Sequence, residues 1–261
     1  MKIPFSKYHG TGNDFIIVDN RELQWKPTAE QVASLCDRHF GIGADGLMLL
    51  SAESGFSFAM TYYNSDGNES TMCGNGGRCM VAFAKSLGLA GCMTRFRAVD
   101  GVHEAEIFDS LPESLYRLQM KDTAIGRIYD DGIFLDTGSP HFVQFVPDAQ
   151  IIDVFGMGRR LRNESRFAPG GVNVDFAEVR GDSLFVRTYE RGVENETLSC
   201  GTGVTAAALA LAYKNQSDTD SFNISTPGGN LKVCFIRDGE HFTEIWLEGP
   251  AKFVFSGEIW I

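Results

Sequence analysis

Residues 71–77 read TMCGNGG and residues 198–204 read LSCGTGV. Each stretch sets a cysteine among glycines, directly before helical spacing. Cys73 and Cys200 stand 127 positions apart. The same offset carries Thr61-Tyr62 onto Thr188-Tyr189, Glu69 onto Glu196, Gly74 onto Gly201 and Gly76 onto Gly203. It also carries Phe15, Phe40, Gly43 and Gly101 onto Phe142, Phe167, Gly170 and Gly228. Overall identity at this offset is barely above chance. Six matches nevertheless fall within sixteen positions, and 127 is close to half of the 261 residues. Clustered matches at one long period read as two homologous halves in tandem, not as a solenoid of short units. The expected halves are residues 1–120 with 250–261, and residues 121–249.

Local patterns agree with an α/β (α+β) chain. YHGTGNDFIIVDN reads as a glycine turn feeding a strand over 15–18, and 28–39 as a helix with Thr28 and Gln31 at capping-box spacing. Strands are expected at 46–51, 56–62, 95–99, 102–108 and 115–120 in the first half. In the second they are expected at 133–135, 142–146, 174–179, 184–189, 222–226, 231–236 and 242–247. Met80, Val81, Ala84 and Leu87 give the helix after Cys73 its apolar spacing. Gly88 is expected to end that helix in a left-handed cap, and Asn215 the corresponding second helix. The final strand, KFVFSGEIWI, lies beyond the second repeat and is expected to return to the first half's sheet.

Composition narrows the function. Hydrophobic residues make up 43 % and charged residues 22 %, as in ordinary globular proteins. No apolar run approaches the roughly 20 residues that span a bilayer, and no signal peptide is read at the N-terminus. The net charge of −11, with no Lys/Arg-rich run, argues against a nucleic-acid partner. Six dispersed cysteines without a CxxC pair point to a reducing cytoplasm and against a structural zinc site.

The two cysteine turns carry the chemistry. Glycine lets a backbone approach a ligand closely. A helix start offers free N–H groups and partial positive charge, which suit a carboxylate. The same field is expected to lower a thiol pKa from about 8.5 toward neutral. Two such thiols facing one cleft between the halves would let one take a proton from carbon while the other returns one, inverting a stereocentre without a cofactor. Cys36, Cys79, Cys92 and Cys234 lack this context and read as core.

HGTGNDF, YNSDGNESTMCGNGGRC, YERGVENETLSCGTG and STPGG together resemble the diaminopimelate epimerase family, in order and over nearly the whole chain. The resemblance implies two domains, each a β-barrel-like sheet around a central helix. It implies interconversion of LL- and meso-diaminopimelate in lysine and peptidoglycan precursor synthesis, with no cofactor or metal, in a homodimer. By resemblance Cys73 and Cys200 are the acid/base pair. Gly74, Asn75, Gly201 and Thr202 would meet the reacting α-carboxylate. Asn13, Asn64, Asn173, Glu190 and Arg191 match substrate contacts, with Arg191 suited to the distal carboxylate and Glu190 to an ammonium group. His141 matches a histidine near the reacting centre. Glu69 and Glu196 read as supports for the turns. Two positions depart from the pattern: Ser139 stands where an Asn is frequent, and Gly46 where some members have Gln. A racemase of another specificity (proline or hydroxyproline type) and a non-catalytic redox module remain alternatives.

Overall fold

The computed structural model describes residues 2–109, 114–216 and 219–261. The chain forms two compact units, residues 1–118 with 249–261, and residues 119–248. In chain order the first unit gives β1 (Lys2–Gly10), β2 (Asn13–Asp19), α1 (Ala29–Cys36), β3 (Gly46–Ser51), β4 (Phe58–Asn64), β5 (Glu69–Ser70), α2 (Gly74–Ser86), β6 (Met93–Ala98), β7 (Gly101–Phe108) and β8 (Leu115–Gln119). The second gives β9 (Thr123–Tyr129), β10 (Gly132–Asp136), β11 (Pro140–Phe145), α3 (Val154–Arg162), β12 (Asn173–Arg180), β13 (Ser183–Glu190), β14 (Asn195–Thr197), α4 (Gly201–Asn215), β15 (Ser221–Thr226), β16 (Gly229–Asp238) and β17 (His241–Pro250). The last strand, β18 (Lys252–Trp260), belongs to the first unit and pairs antiparallel with β1.

Within unit 1 the strands run β18-β1-β2-β3-β4-β6-β7-β8, with β2–β3 and β4–β6 parallel. Within unit 2 they run β9-β10-β11-β12-β13-β15-β16-β17. There β17 pairs with β9, closing an eight-stranded barrel. The parallel pairs, β11–β12 and β13–β15, fall at the places corresponding to those in unit 1.

The helices explain the wrapping. α4 is apolar nearly all round, and Gly201 and Gly203–Ala212 are buried, as a helix enclosed by sheet requires. In α2, Gly74–Ala84 are buried likewise. The parallel strand β2 is buried on both faces, which is why FIIV is continuous rather than alternating. Its Ile16 and Val18 pack with Val32 and Leu35 of α1, while the Phe15 ring lies against Gly76 of α2. α1 begins with both hydrogen bonds of the expected Thr28–Gln31 capping box. It stops at Cys36, short of the expected residue 39, because the Asp37 carboxylate accepts the His39 and Phe40 N–H groups and turns the chain. α2 ends as expected: Gly88 is left-handed (φ 72°), and Leu89 N and Gly88 N bond the Ala84 and Lys85 carbonyls. At the end of α4 the left-handed residue is Gln216 (φ 49°), not Asn215, and its side chain bonds Tyr213 O at 2.8 Å. β1, α3 and β9 were not expected from the sequence. Among the described residues no helix is long and apolar enough to cross a membrane.

The repeat survives in the fold with local slips. Phe15 pairs with Gly46 where His141 pairs with Asn173, and Met48 pairs with Tyr62 where Asp175 pairs with Thr188. Gly46 and Asn173, like Met48 and Asp175, keep the offset of 127, so the equivalents of Phe15 and Tyr62 are His141 and Thr188, 126 positions away. The matches Phe15/Phe142 and Tyr62/Tyr189 are therefore not structural equivalents.

Candidate active site

Each unit holds one cysteine turn at the start of its buried helix. In unit 1 Cys73 is the N-cap of α2. It is extended (φ −103°, ψ 145°), and its Sγ accepts the Gly76 N–H at 3.1 Å. A Cβ on Gly76 would lie only 3.2 Å from that sulfur, so glycine is what allows the approach. Asn13, on the β2 face that carries Phe15, places Oδ1 3.9 Å from Cys73 Sγ and accepts from Asn75 Nδ2 at 3.4 Å. Its own Nδ2 donates to Asp45 Oδ2 at 2.6 Å. Behind it Asp14 pairs with Lys7 at 2.8 Å, and Arg38 bridges Asp14 and Asp45 at 2.8 and 2.7 Å. Burial raises the Asp14 pKa, but the Arg38 and Lys7 hydrogen bonds outweigh it and hold the carboxyl at about 2. Asn64 ends β4 half-buried, and its side chain makes no hydrogen bond among the described residues. Gly46 admits no side chain, since a Cβ would fall 2.5 Å from the Tyr62 ring and from Tyr63 O.

Arg78, one turn into α2, is fully buried. It donates to Gly74 O (3.3 Å), Asn75 Oδ1 (2.8 Å) and Pro250 O (3.5 Å). Burial lowers its pKa, yet only to about 10, so it stays a cation at neutral pH.

In unit 2 Cys200 caps α4 (φ −117°, ψ 113°) and is buried. Gly203 N–H lies close enough to favour the thiolate slightly but does not form the capping bond that Gly76 makes. Cys200 Sγ sits 3.4 Å from Thr202 Oγ1, which contacts His141 Nε2 at 2.8 Å. His141 Nδ1 in turn lies 2.7 Å from Asp175 Oδ2, with both side chains fully buried. Thr202 Oγ1 at 2.8 Å and Asn173 Nδ2 at 3.3 Å both lie against Nε2 of that ring. Thr188 donates to Asp175 Oδ1 at 2.7 Å. Glu190 accepts from Thr197 Oγ1 at 2.5 Å and also bonds Cys200, and burial raises its pKa.

The expectation of a lowered thiol pKa is overturned at Cys200. Burial comes first, then the negative charge of Glu190 and Asp175, and together they push this thiol well above its ordinary range. The helix start is a weaker influence than an acidic, enclosed wall.

Asn173 spends its amide on the protein. Nδ2 donates to Ser139 Oγ (2.8 Å) and Pro140 O (3.2 Å), while Oδ1 accepts the Arg191 N–H (2.8 Å). The Ser139 hydroxyl thus steadies Asn173, and Asn173 fixes the Arg191 backbone. The Arg191 guanidinium has no ion-pair partner among the described residues. Glu196 binds Arg187 bidentately (2.6 and 2.6 Å), and Arg187 gathers the carbonyls of Ala149, Gln150 and Ile152, which makes Glu196 a support for its turn. Glu69, in β5, is exposed, and its unit has no equivalent arginine. The sequence reading missed Arg78, Asp175 and Thr188. Asp175 was signalled by its place two residues after Asn173, on the same strand face. Among the described residues no group of three or more His, Cys, Asp or Glu side chains is placed to hold a metal ion.

Comparisons with known proteins agree over nearly the full chain. The diaminopimelate epimerase family profile matches residues 5–117 and 133–254. The diaminopimelate epimerase of Flavobacterium psychrophilum is 48 % identical over 255 residues, covering 97 % of this chain and 98 % of that one. That of Chlorobaculum tepidum is 40 % identical over 261 residues, covering 96 % and 98 %. Among solved structures, a Bacillus anthracis phenazine biosynthesis protein of the PhzF family superposes with TM-score 0.79 at 14 % identity, covering 100 % of both chains. A probable proline racemase from Agrobacterium radiobacter superposes with TM-score 0.72 at 16 % identity, covering 99 % and 93 %. At such identities these two share the fold alone. On the profile and the relatives, this chain belongs to the diaminopimelate epimerase family.

Proposed function

We propose that this protein epimerises diaminopimelate between its LL and meso forms, moving one proton at the α-carbon by means of its own side chains. What carries the reading is the full-length match to diaminopimelate epimerases, combined with a cysteine at the start of the central helix in both units. In this mechanism one cysteine, as thiolate, removes the α-proton and the other, as thiol, delivers a proton to the opposite face. The reverse direction exchanges the roles. Backbone N–H groups at Gly74-Asn75 and Gly201-Thr202 receive the α-carboxylate, and with it the charge that develops as the proton leaves. Asn13 and Asn64 contact substrate from unit 1. Asn173 acts through Arg191, whose guanidinium, without an ion-pair partner among the described residues, suits the distal carboxylate bidentately. Glu190, beside Cys200, meets ammonium, and His141 steadies Thr202.

A reducing cytoplasm suits two working thiols, and all six cysteines are free. A homodimer is supported by apolar side chains presented on β18: Phe253, Val254, Phe255 and Trp260, the last 78 % exposed. The acidic charge supports neither nucleic acid nor membrane as partner.

The test is incubation with LL-diaminopimelate in D₂O, following α-deuteration by NMR. The reduced protein is expected to exchange and epimerise, and Cys73→Ala and Cys200→Ala each to lose epimerisation. Exchange on proline or hydroxyproline instead would turn the reading toward the racemase alternative. Full-rate epimerisation by either variant would end the two-thiol mechanism.

A further inference from the structure

The two cysteine turns are equivalent in fold but opposite in the charge around them. Arg78 and Thr205 are equivalents, 127 positions apart, and donate to the equivalent carbonyls of Gly74 (3.3 Å) and Gly201 (2.9 Å). One is a buried cation and the other a buried hydroxyl. Met48 stands where unit 2 has Asp175, and Phe15 where it has His141. Extending the β4 and β13 registers sets Asn64 against Glu190. Thus the cation lies in the first turns of the helix that Cys73 caps, near enough for their charges to interact, and the two carboxylates act on Cys200.

Arg78 donates to no carboxylate among the described residues, and its three acceptors are neutral carbonyl oxygens. A buried guanidinium without a counter-anion is costly, and a nearby anion relieves that cost. The other charged and titratable groups around Cys73 do not supply one. Cys79 on α2 is fully buried, and burial keeps its thiol protonated. Lys7, Asp14, Arg38 and Asp45, reached through Asn13, are two cations and two carboxylates already paired with each other. The Cys73 sulfur, accepting the Gly76 N–H at 3.1 Å, is the remaining candidate for negative charge.

We propose that Arg78 is a positioning residue whose buried charge keeps Cys73 as the thiolate of the resting protein, while Glu190 and Asp175 keep the proton on Cys200. The proposal rests on the two-thiol reading for its catalytic meaning, but the proton distribution itself exists without substrate. Cys73 gives its S–H proton to solvent and Cys200 keeps its own; no other bond changes.

The test uses the intact protein with [β-¹³C]cysteine, assigning Cys73 and Cys200 by Ala variants and titrating both by NMR without substrate. Cys73 is expected to ionise below the free-thiol value of about 8.5, and Cys200 above it. Arg78→Met is expected to raise the Cys73 midpoint by about one unit or more, a tenfold fall in the thiolate-to-thiol ratio at any given pH, and to leave Cys200 in place. Arg78→Lys is expected to restore most of the shift. Circular dichroism melts monitor the fold. If Arg78→Met does not fold, the order of the two midpoints in the parent and the retention of the Cys73 midpoint in Arg78→Lys decide the matter. Equal midpoints, a reversed order, or an unmoved Cys73 midpoint in a folded Arg78→Met overturns the proposal. In parallel, the ascending limb of kcat/KM for LL-diaminopimelate should move upward with the Cys73 midpoint. Absence of any turnover alongside the expected titration would fault the functional reading and leave the charge assignment standing.

Discussion

Gly76 and Gly203 occupy equivalent positions in the first turns of α2 and α4, and the same Gly→Ala change should have unequal consequences. An added Cβ at Gly203 falls 2.3 Å from Asp175 Oδ1 and 3.1 Å from Thr188 Oγ1. That is about 0.7 Å inside the 3.0 Å limit that real Cβ atoms keep. Asp175 must retreat, and it is held by Thr188 and His141 at 2.7 Å each. Retreat by that distance stretches these bonds toward about 3.4 Å, past useful geometry. Hydrogen bonds to a charged group contribute about 1.5–3 kcal/mol each, and helix propensity returns about 1 kcal/mol for replacing glycine by alanine. The expected net loss for Gly203→Ala is about 2–5 kcal/mol, or a Tm fall of roughly 4–20 °C at about 2–4 °C per kcal/mol for a protein of this size. At Gly76 the nearest atoms are Cys73 Sγ, Met48 Sδ and the Phe15 ring at 3.2–3.4 Å, two of them soft sulfurs that shift by tenths of an ångström. There the propensity gain and the crowding roughly cancel, and Tm should stay within about 3 °C. Paired calorimetric melts of the two variants decide it. A Gly203→Ala melt within error of the parent, or a larger loss at Gly76, would refute the packing argument.

The remaining expectations can be checked singly. Asp14 has a folded pKa of about 2, below its unfolded value of 3.8, so its contribution is present above pH 4 and fades as pH falls through 2. Asp14→Asn should therefore cost up to about 2 kcal/mol in urea melts at pH 7 and almost nothing near pH 2. A cost independent of pH would mean that packing, not charge, holds this residue. Arg191→Met should raise KM for diaminopimelate by about 10–100-fold, as loss of a bidentate carboxylate contact does, while the cysteine titrations stay put. An unchanged KM would remove Arg191 from the substrate site. Thr28→Ala should lower stability by about 1 kcal/mol through loss of the α1 capping box, and an unaltered melt would make that box idle.

Much of this was legible in the sequence because it is local or repeated. The capping box at Thr28, the left-handed Gly88 and the cysteine-glycine turns are short-range patterns whose physics lies within a few residues. The repeat located both helices because glycines at helix starts cannot drift. It misled at Phe15/Phe142, since Asn173 lies 32 residues after His141 while Gly46 lies 31 after Phe15, and at Tyr62/Tyr189, since Cys200 lies ten residues after Glu190 while Cys73 lies nine after Asn64; strands tolerate such one-residue slips only by changing face. The raised Cys200 thiol was not legible. Its cause is burial first, and then the convergence of Glu190 and Asp175 from separate strands on the same sulfur, through-space properties that the cysteine turn alone does not carry.

The strand pairing that joins β18 to β1 spans nearly the whole chain, Lys2 facing Trp260, whereas the corresponding β9–β10 hairpin of unit 2 pairs Tyr129 with Gly132. During synthesis the ribosome therefore releases every strand of unit 2 before it releases the last strand of unit 1. The second unit can close its barrel unaided, while the first must wait with the β1 backbone unpaired along the side that β18 later fills. Newly made first units are thus the stage at which this protein is most exposed to strand exchange with another copy, and a nascent chain stalled just before residue 252 is the species for which a chaperone would have the most use.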